Sequence, residues 1–400
     1  GADATQPVGT VHERTDVTLG LDQVIDHTAL GLSNDDLVDL YRKMLISRRL
    51  DDKMWALNRQ GRVPFVVSVS GHEATQVGIA AALDSSKDWS LPYYRDIAFN
   101  IGLGVTPEDV FMGVFAKAAD PASGGRQMPN HWSEPDLNLF THSSVIATQY
   151  PHAVGIAYEL KRRGSDAVVY VSGGEGSTSE GDWHEAMNFA GIHKLPVVFL
   201  IQNNLYAISV PAAEEVAGQV ADRAEGYGMK GVVVDGNNIL EMYGVASAAV
   251  ERARAGEGPT LIEAKTYRYD AHTSDDDDKL YRTREEVERW RRTDPLPNFR
   301  QYRVEQRALS EAAEAKLESE VTSLINNAVA AAENSPDPTD APGQVYANPI
   351  VPSVATERVE PAPVGEEINL ITAINRTLHY AMGRDPQTVI FGEDVADPKG

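Results

Sequence analysis

Val168-Val169-Tyr170-Val171-Ser172-Gly173-Gly174-Glu175-Gly176 is followed, after one helical stretch, by Val197-Val198-Phe199-Leu200-Ile201-Gln202-Asn203-Asn204. Each segment is a short apolar run that stops abruptly in Gly, Asn or an acid. Strands buried on both faces show no polar alternation, so such runs, spaced by helical stretches, read as parallel strands with crossover helices. Residues 232–234 and 261–264 repeat the texture, and the fold class is therefore α/β, a parallel sheet flanked by helices. Neighbouring parallel strands deliver their carboxyl ends to one sheet edge, which brings Glu175 and Asn204 to a shared crevice. A carboxylate and an amide oxygen suit Mg²⁺, with a backbone carbonyl at Tyr206 as a third protein ligand and phosphates and water completing the shell. Gly174 and Gly176 let a diphosphate approach the backbone, and a helix opening near residues 179–182 turns free N–H groups toward it. By itself a Gly-x-Gly at a strand end is a plain turn; the asparagine pair at the next strand end favours the ligand.

Working outward, Ser33 opens a helix in which Leu37, Leu40, Tyr41, Met44, Leu45 and Arg48 recur at helical spacing, with Asp35 and Asp36 in its first turn and Gly61 as its stop. Later helices start near Thr283, with Glu286 as capping-box partner, and near Ser310, where Leu317, Val321, Leu324, Ile325 and Val329 share a face. Seven prolines between Pro336 and Pro363 mark an extended linker or strap. Beyond it Ile368, Leu370, Ile374, Leu378 and Met382 recur at helical spacing, Arg384-Asp385-Pro386 ends the run, and residues 388–392 look like a strand. The expected division is an arm over 1–33, a main domain over 34–332, a linker over 333–366 and the start of a second α/β domain over 367–400.

The net charge of −23 excludes nucleic-acid and anionic-membrane partners, which need clustered Lys and Arg. Zero cysteines remove thiolate chemistry and disulfides and fit a reducing, cytoplasmic home. There is neither an apolar run long enough to span a bilayer nor a signal-peptide layout, so no membrane association is expected.

Residues 174–182 together with 202–209 resemble the thiamine diphosphate motif of the α subunit of 2-oxo acid dehydrogenases, and the likeness runs from about residue 34 to 332. The family's usual first acid is Asp, and Glu175 resembles the branched-chain members. The resemblance implies a thiamine diphosphate-binding fold, Mg²⁺ on Glu175, Asn204 and Tyr206, and cofactor contacts from Gly174, Gly176 and Ser177. Tyr93-Tyr94-Arg95 is similar to the segment whose Tyr and Arg bind the diphosphate, here Tyr94 and Arg95. In the strip Ser143-Ser144-Val145-Ile146-Ala147-Thr148-Gln149, the resemblance sets Ser144 and Ile146 against the aminopyrimidine and Ser143, Val145, Thr148 and Gln149 around K⁺. His272, within Arg268-Tyr269-Asp270-Ala271-His272-Thr273-Ser274, is similar to the histidine that touches the phosphates and assists acyl transfer. Thr273 stands where relatives carry a regulated serine. His131 follows Gly125-Arg126-Gln127-Met128-Pro129-Asn130 and is either catalytic or a satisfied structural histidine; Phe65 either lines the acyl pocket or is core. Gln202 replaces a phosphate-binding Arg, so no diphosphate contact is implied there.

By the same resemblance the reaction is oxidative decarboxylation of a branched-chain 2-oxo acid such as 2-oxoisovalerate, with acyl transfer to the lipoyl group of a dihydrolipoyl acyltransferase. A β half supplies the activating Glu. Residues 367–400, with Gly392-Glu393-Asp394-Val395, resemble its opening, which suggests an α–β fusion completed in cis beyond residue 400 or by a separate chain, and a dimer of α–β units. Pyruvate as substrate, a transketolase-like carboligase and a non-catalytic α-like scaffold are the alternatives.

Overall fold

The computed structural model describes residues 25–339 and 365–391. They fall in two compact units, 1–341 and 342–400.

The first unit is built on a five-stranded, wholly parallel sheet. Its strands are β1 (Trp89–Leu91), β2 (Val169–Gly174), β3 (Val197–Asn203), β6 (Lys230–Asp235) and β7 (Thr260–Lys265), in the order β1-β2-β3-β7-β6. A separate two-residue hairpin, β4 (Tyr206–Ala207) and β5 (Val210–Pro211), follows β3. Because side chains alternate, Val169, Val171, Val197, Phe199 and Ile201 pack on one face against Ala153, Val154, Trp183 and Met187. Val168, Tyr170, Val198 and Leu200 pack on the other against Ile79, Met242 and Ala246. Helices thus cover both faces, which is why the strands carry no polar side. The helices concerned are Gln149–Arg162 and Gly181–His193 on one side, with α2 (Glu73–Ala80) and Ile239–Arg254 on the other.

A third core lies between α1 (Asn34–Arg59) and the helix Glu311–Glu333, where Leu37, Met44, Leu317, Val321 and Ile325 meet. Ser33 caps α1 in a reciprocal box: its Oγ accepts from Asp36 N at 3.2 Å, and Asp36 accepts from Ser33 N at 2.7 Å. The expected box at Thr283 is only half formed. Thr283 Oγ1 accepts from Glu286 N at 3.2 Å, but the Glu286 carboxylate instead accepts from the hydroxyls of Tyr206 at 2.9 Å and Tyr267 at 2.8 Å. Two buried phenols compete better for it than a solvated backbone N–H.

The described end of the arm, from residue 25, is packed against the main domain. Asp26 caps a 3₁₀ turn, His27–Leu30, and His27 is buried with its Nδ1 3.0 Å from Tyr302 Oη. Residues 1–24 and 340–364 lie outside the described residues, as do Gly392, Glu393, Asp394 and Val395. The start of the Pro-rich stretch is strapped down: Pro336 O accepts from Ala118 N at 3.0 Å. Also unforeseen were β1, at three residues too short for a pattern, and α2, whose eight residues are all buried and so show no amphipathic period.

In the second unit, Asn369 caps a helix over Leu370–Arg384 by accepting from Thr372 N at 2.8 Å. Ile368 precedes this helix, and residues 388–391, expected as a strand, belong to no sheet among the described residues.

One buried ion pair joins α1 to the layer beneath the sheet. Arg48 donates through Nε to Glu73 at the start of α2 and through Nη1 and Nη2 to Asp294 at 2.9 and 3.0 Å. Glu73 is fully buried, so Arg48→Met strands its carboxylate and should cost about 3–5 kcal/mol by chemical denaturation. A loss below about 1 kcal/mol would contradict this reading.

Candidate active site

The register of β2 on β3 sets Gly174 beside Gln202, so Glu175 and Asn204 leave the sheet together. Glu175 begins a 3₁₀ turn, Glu175–Ser179, and its Oε2 accepts the backbone N–H of Asn204 at 3.1 Å. Its Oε1 is buried with no partner. Burial raises the carboxyl's pKa against the pull of the Asn204 N–H and the guanidiniums of Arg268 and Arg95. A buried acceptor left unmade costs on the order of 1–3 kcal/mol, and a cation in the cleft would relieve it.

Asn204 is oriented from both ends. Its Oδ1 accepts from Tyr206 N at 3.3 Å and its Nδ2 faces His72 Nε2 at 3.3 Å. Leu205 adopts φ 73°, which turns the chain into the β4–β5 hairpin. The Tyr206 carbonyl accepts from Arg268 Nη1 at 3.1 Å and keeps a second lone pair. These oxygens border a cleft of about 270 Å³, open to solvent. One carboxylate, one amide oxygen and one carbonyl beside buried cations suit a divalent cation carrying an anionic ligand. Among the described residues there is no group of three or more His, Cys, Asp or Glu for a metal, and this donor set needs none.

The walls are tuned by three glycines. A Cβ at Gly174 would enter open space, whereas at Gly173 it would lie 2.0 Å from Tyr150 Oη and at Gly176 2.7 Å from Ala207 Cβ. Gly176 is thus required by packing against the hairpin, and only Gly174 leaves an open wall. Ser177 Oγ donates to Gly174 O at 2.6 Å and lies 2.8 Å from Tyr150 Oη, closing the turn.

Across the cleft Arg95 is buried. It donates through Nη1 to Ser68 O at 2.7 Å and through Nη2 to His272 O and towards His272 Nδ1, both at 3.2 Å. A guanidinium only donates, so Nδ1 accepts and His272 is the neutral Nε2–H tautomer. Burial, reinforced by Arg95 and Arg268, holds its pKa down to about 3. Asp276 accepts from His272 N at 2.7 Å and from Tyr281 Oη at 2.5 Å, and Arg268 donates to Ile208 O at 2.6 Å and Tyr281 Oη at 2.9 Å. The run of aspartates is therefore partly consumed in fixing its own loop.

Tyr94, Arg95, Ile146, Gln149, Gly174, Glu175, Gly176, Ser177, Asn204, Tyr206 and His272 all line the cleft. Other expected site residues do not. His131 Nε2 is hydrogen-bonded to Ser144 Oγ, and His131 borders a separate small pocket of about 30 Å³. It is one ring removed from the cleft: His142 lies 5.2 Å from it and 6.4 Å from Tyr94. Phe65 is half-buried outside the cleft wall, because Ser274 bonds the Val66 backbone (N→O 2.9 Å, Oγ accepting at 3.1 Å) and Val63 and Val66 take the core positions. Ser143, Val145 and Thr148 lie on an adjoining turn that bonds to itself: Thr148 Oγ1 donates to Val145 O at 2.8 Å and Val145 N to Ser143 Oγ at 3.3 Å. Gln149 donates to Ser172 O at 2.8 Å and leaves its Oε1 buried and unpartnered. Gln202 is withdrawn from the cleft, donating to Asp96 Oδ1 at 2.6 Å and accepting from Gln76 Nε2 at 3.0 Å.

Sequence reasoning missed Arg268 and His72 as site residues. Arg268 follows β7, and only the sheet order, with β7 and not β6 beside β3, brings it to this edge. The glycines separate fold from ligand. Gly173→Ala should lower stability by about 1–3 kcal/mol in thermal unfolding through overpacking on Tyr150. Gly174→Ala should stay within about 0.5 kcal/mol of the parent yet weaken binding of a metal-bound diphosphate by about tenfold in calorimetry. Undiminished binding by Gly174→Ala would show that no ligand sits against this wall.

The family described as Dehydrogenase E1 component matches residues 41–340. The chain is 50% identical over 324 residues to the 2-oxoisovalerate dehydrogenase subunit alpha of Bacillus subtilis (strain 168), covering 80% of this chain and 98% of that protein. It is 42% identical over 292 residues to the 3-methyl-2-oxobutanoate dehydrogenase subunit alpha of Mycobacterium tuberculosis (strain ATCC 25618 / H37Rv), 73% of this chain and 76% of that one. It is 38% identical over 317 residues to the pyruvate dehydrogenase E1 component subunit alpha of Bacillus subtilis (strain 168), 78% and 82% respectively. With a match over three hundred residues and a cleft at its strand ends, the chain belongs to the dehydrogenase E1 component family, on its α-subunit side.

Proposed function

We propose that the chain is the α half of a decarboxylating, acyl-transferring 2-oxo acid dehydrogenase whose substrate is a branched-chain 2-oxo acid. One observation carries the substrate: against two relatives from one organism, identity is 50% to the 2-oxoisovalerate enzyme and 38% to the pyruvate enzyme. Glu175 in place of Asp supports it.

Family membership implies thiamine diphosphate. When bound, this cofactor supplies the nucleophilic carbon for the 2-oxo group and the electron sink for loss of carbon dioxide. The residues present fit it. Glu175 Oε1, unpartnered and buried, would bind Mg²⁺ with Asn204 Oδ1 and the Tyr206 carbonyl. Arg95, Tyr94, Ser177 and the open wall at Gly174 would hold the diphosphate, with Gly176 shaping the turn and Arg268 adding buried positive charge. Ile146 would brace the cofactor's ring, and Ser144 would meet it if freed from His131. His272, kept neutral, offers its Nε2–H as a hydrogen-bond donor to a phosphate or to the acyl oxygen during transfer. His131 acts at most from the neighbouring pocket, and Phe65 borders substrate only if the loop beside it moves. K⁺ at Ser143, Val145, Thr148 and Gln149 draws support from the unpartnered Gln149 Oε1.

The same reading calls for a β half carrying the activating acid, in cis or in trans, and for a lipoyl-bearing dihydrolipoyl acyltransferase, in an assembly of two α–β units. The family match stops at residue 340, so the fusion rests on the resemblance of 367–400 alone. A cytoplasmic home rests on the cysteine-free composition; among the described residues no helix is long and apolar enough to cross a membrane.

The test is kcat/KM for 2-oxoisovalerate and pyruvate, side by side, with a complete β half and a lipoyl acceptor. A branched-chain preference of about tenfold or more is expected, since a methyl or two in an apolar pocket is worth about 1–3 kcal/mol. A tenfold preference for pyruvate would overturn the assignment.

A further inference from the structure

Behind Arg95, away from the metal-facing oxygens, one hydroxyl stands between two carboxylates. Ser68 Oγ lies 2.6 Å from Asp51 Oδ2 and 2.8 Å from Asp270 Oδ2, and it accepts from Ser70 N at 3.1 Å. Both carboxylate contacts are ordinary O–H···O lengths. A serine hydroxyl has one proton, so it can donate to only one of them; the other contact requires a carboxylic acid donating to the serine. With Ser70 N–H on one lone pair and an acid O–H on the other, the oxygen is fully used.

We propose that Asp51 is a positioning residue that carries this proton, donating it to Ser68 so that Ser68 can donate to Asp270 and hold the His272 loop closed.

The proton belongs on Asp51 for reasons of place. Asp51 is buried on α1, and its other oxygen receives only Val69 N at 3.3 Å. The Asp270 side chain is 32% exposed and has the Arg291 guanidinium at 3.8 Å. Two further carboxylates disfavour its ionisation, Glu73 from α2 and Asp270 from the loop, while the cations nearby are engaged elsewhere, Arg48 with Glu73 and Asp294 and Arg95 with the Ser68 carbonyl and His272. Asp52, the next residue on α1, also feels Asp270. Burial and the Asp270 charge accordingly raise the Asp51 pKa, opposed by Ser68 and Val69 N.

The bridge reaches the site by two routes. Asp270 is two residues before His272, and the Ser68 carbonyl receives Arg95 Nη1 at 2.7 Å while Arg95 Nη2 contacts His272. Closing the loop brings the Asp270 charge to Asp51, so Asp51 has a higher pKa in the closed state than in the open one. The contribution of a group raised in this way is complete at low pH and is lost as pH rises through the raised value. Alkaline conditions therefore loosen the loop.

The loop contains its own reporter, Asp275-Asp276-Asp277-Asp278-Lys279, the recognition sequence of enteropeptidase. Asp276 and Asp278 are engaged in the closed loop, by His272 N and Tyr281 and by Arg282, so cleavage after Lys279 requires local opening. Cleavage of the full chain is measured at about pH 6 and about pH 8.5, each rate divided by that of an unstructured peptide of the same sequence. The wild type should be cleaved faster at the higher pH. Asp51→Asn, whose amide donates to Ser68 without titrating, should be slow at both, and so should Asp270→Asn, which removes the second charge. Ser68→Ala should be fast at both. A wild-type rate independent of pH, or an Asp51→Asn profile as steep as the wild type's, would overturn the proposal. The readout needs neither cofactor nor substrate, so its failure is distinct from failure of the assigned reaction.

Discussion

The backbone N–H of Asn204 donating to the Glu175 carboxylate, at the edge where β2 and β3 end together, is the contact from which the site follows. It satisfies one oxygen of a buried acid and leaves the other bare. That imbalance is tolerable only because the strands beneath are immobilised by apolar packing on both faces. A flexible loop would let the carboxylate turn to solvent; a sheet edge does not.

Around this point positive charge is arranged without an ordinary ion pair. Arg95 and Arg268 donate to backbone carbonyls, a histidine and a phenol instead of to carboxylates of their own. Their charge is thereby left to act across the cleft, in a chain whose net charge is −23. Burial, reinforced by the same two cations, keeps His272 neutral, so the loop presents a donor and not a third positive charge. Local devices, not overall composition, decide which anion this acidic protein can hold.

The central sheet was legible because strands buried on both faces announce themselves as unbroken apolar runs, and residues 168–171 and 196–201 fall within or beside β2 and β3. Glu175 and Asn204 were legible for the same reason, since strand ends are fixed once strands are. What local pattern could not carry was set by distant contacts. The place of β7 beside β3 decides that Arg268 joins the site, and the bonds of Ser274 to Val66 decide that Phe65 does not line it. His131 reads from its neighbours in sequence as either catalytic or structural, and its bond to Ser144 and its packing near His142 put it in an adjoining pocket. Glu286 has the spacing of a helix cap and is recruited by two tyrosines instead.

The central claim is that the unpaired oxygen of Glu175 and the amide of Asn204 grip the metal of a magnesium diphosphate. Calorimetric titration of thiamine diphosphate, with excess Mg²⁺, into the chain assembled with a complete β half measures this directly. Replacing both residues by Ala should weaken binding by about a hundredfold or more, equivalent to about 2.7 kcal/mol. Affinity equal to that of the parent chain would contradict the account.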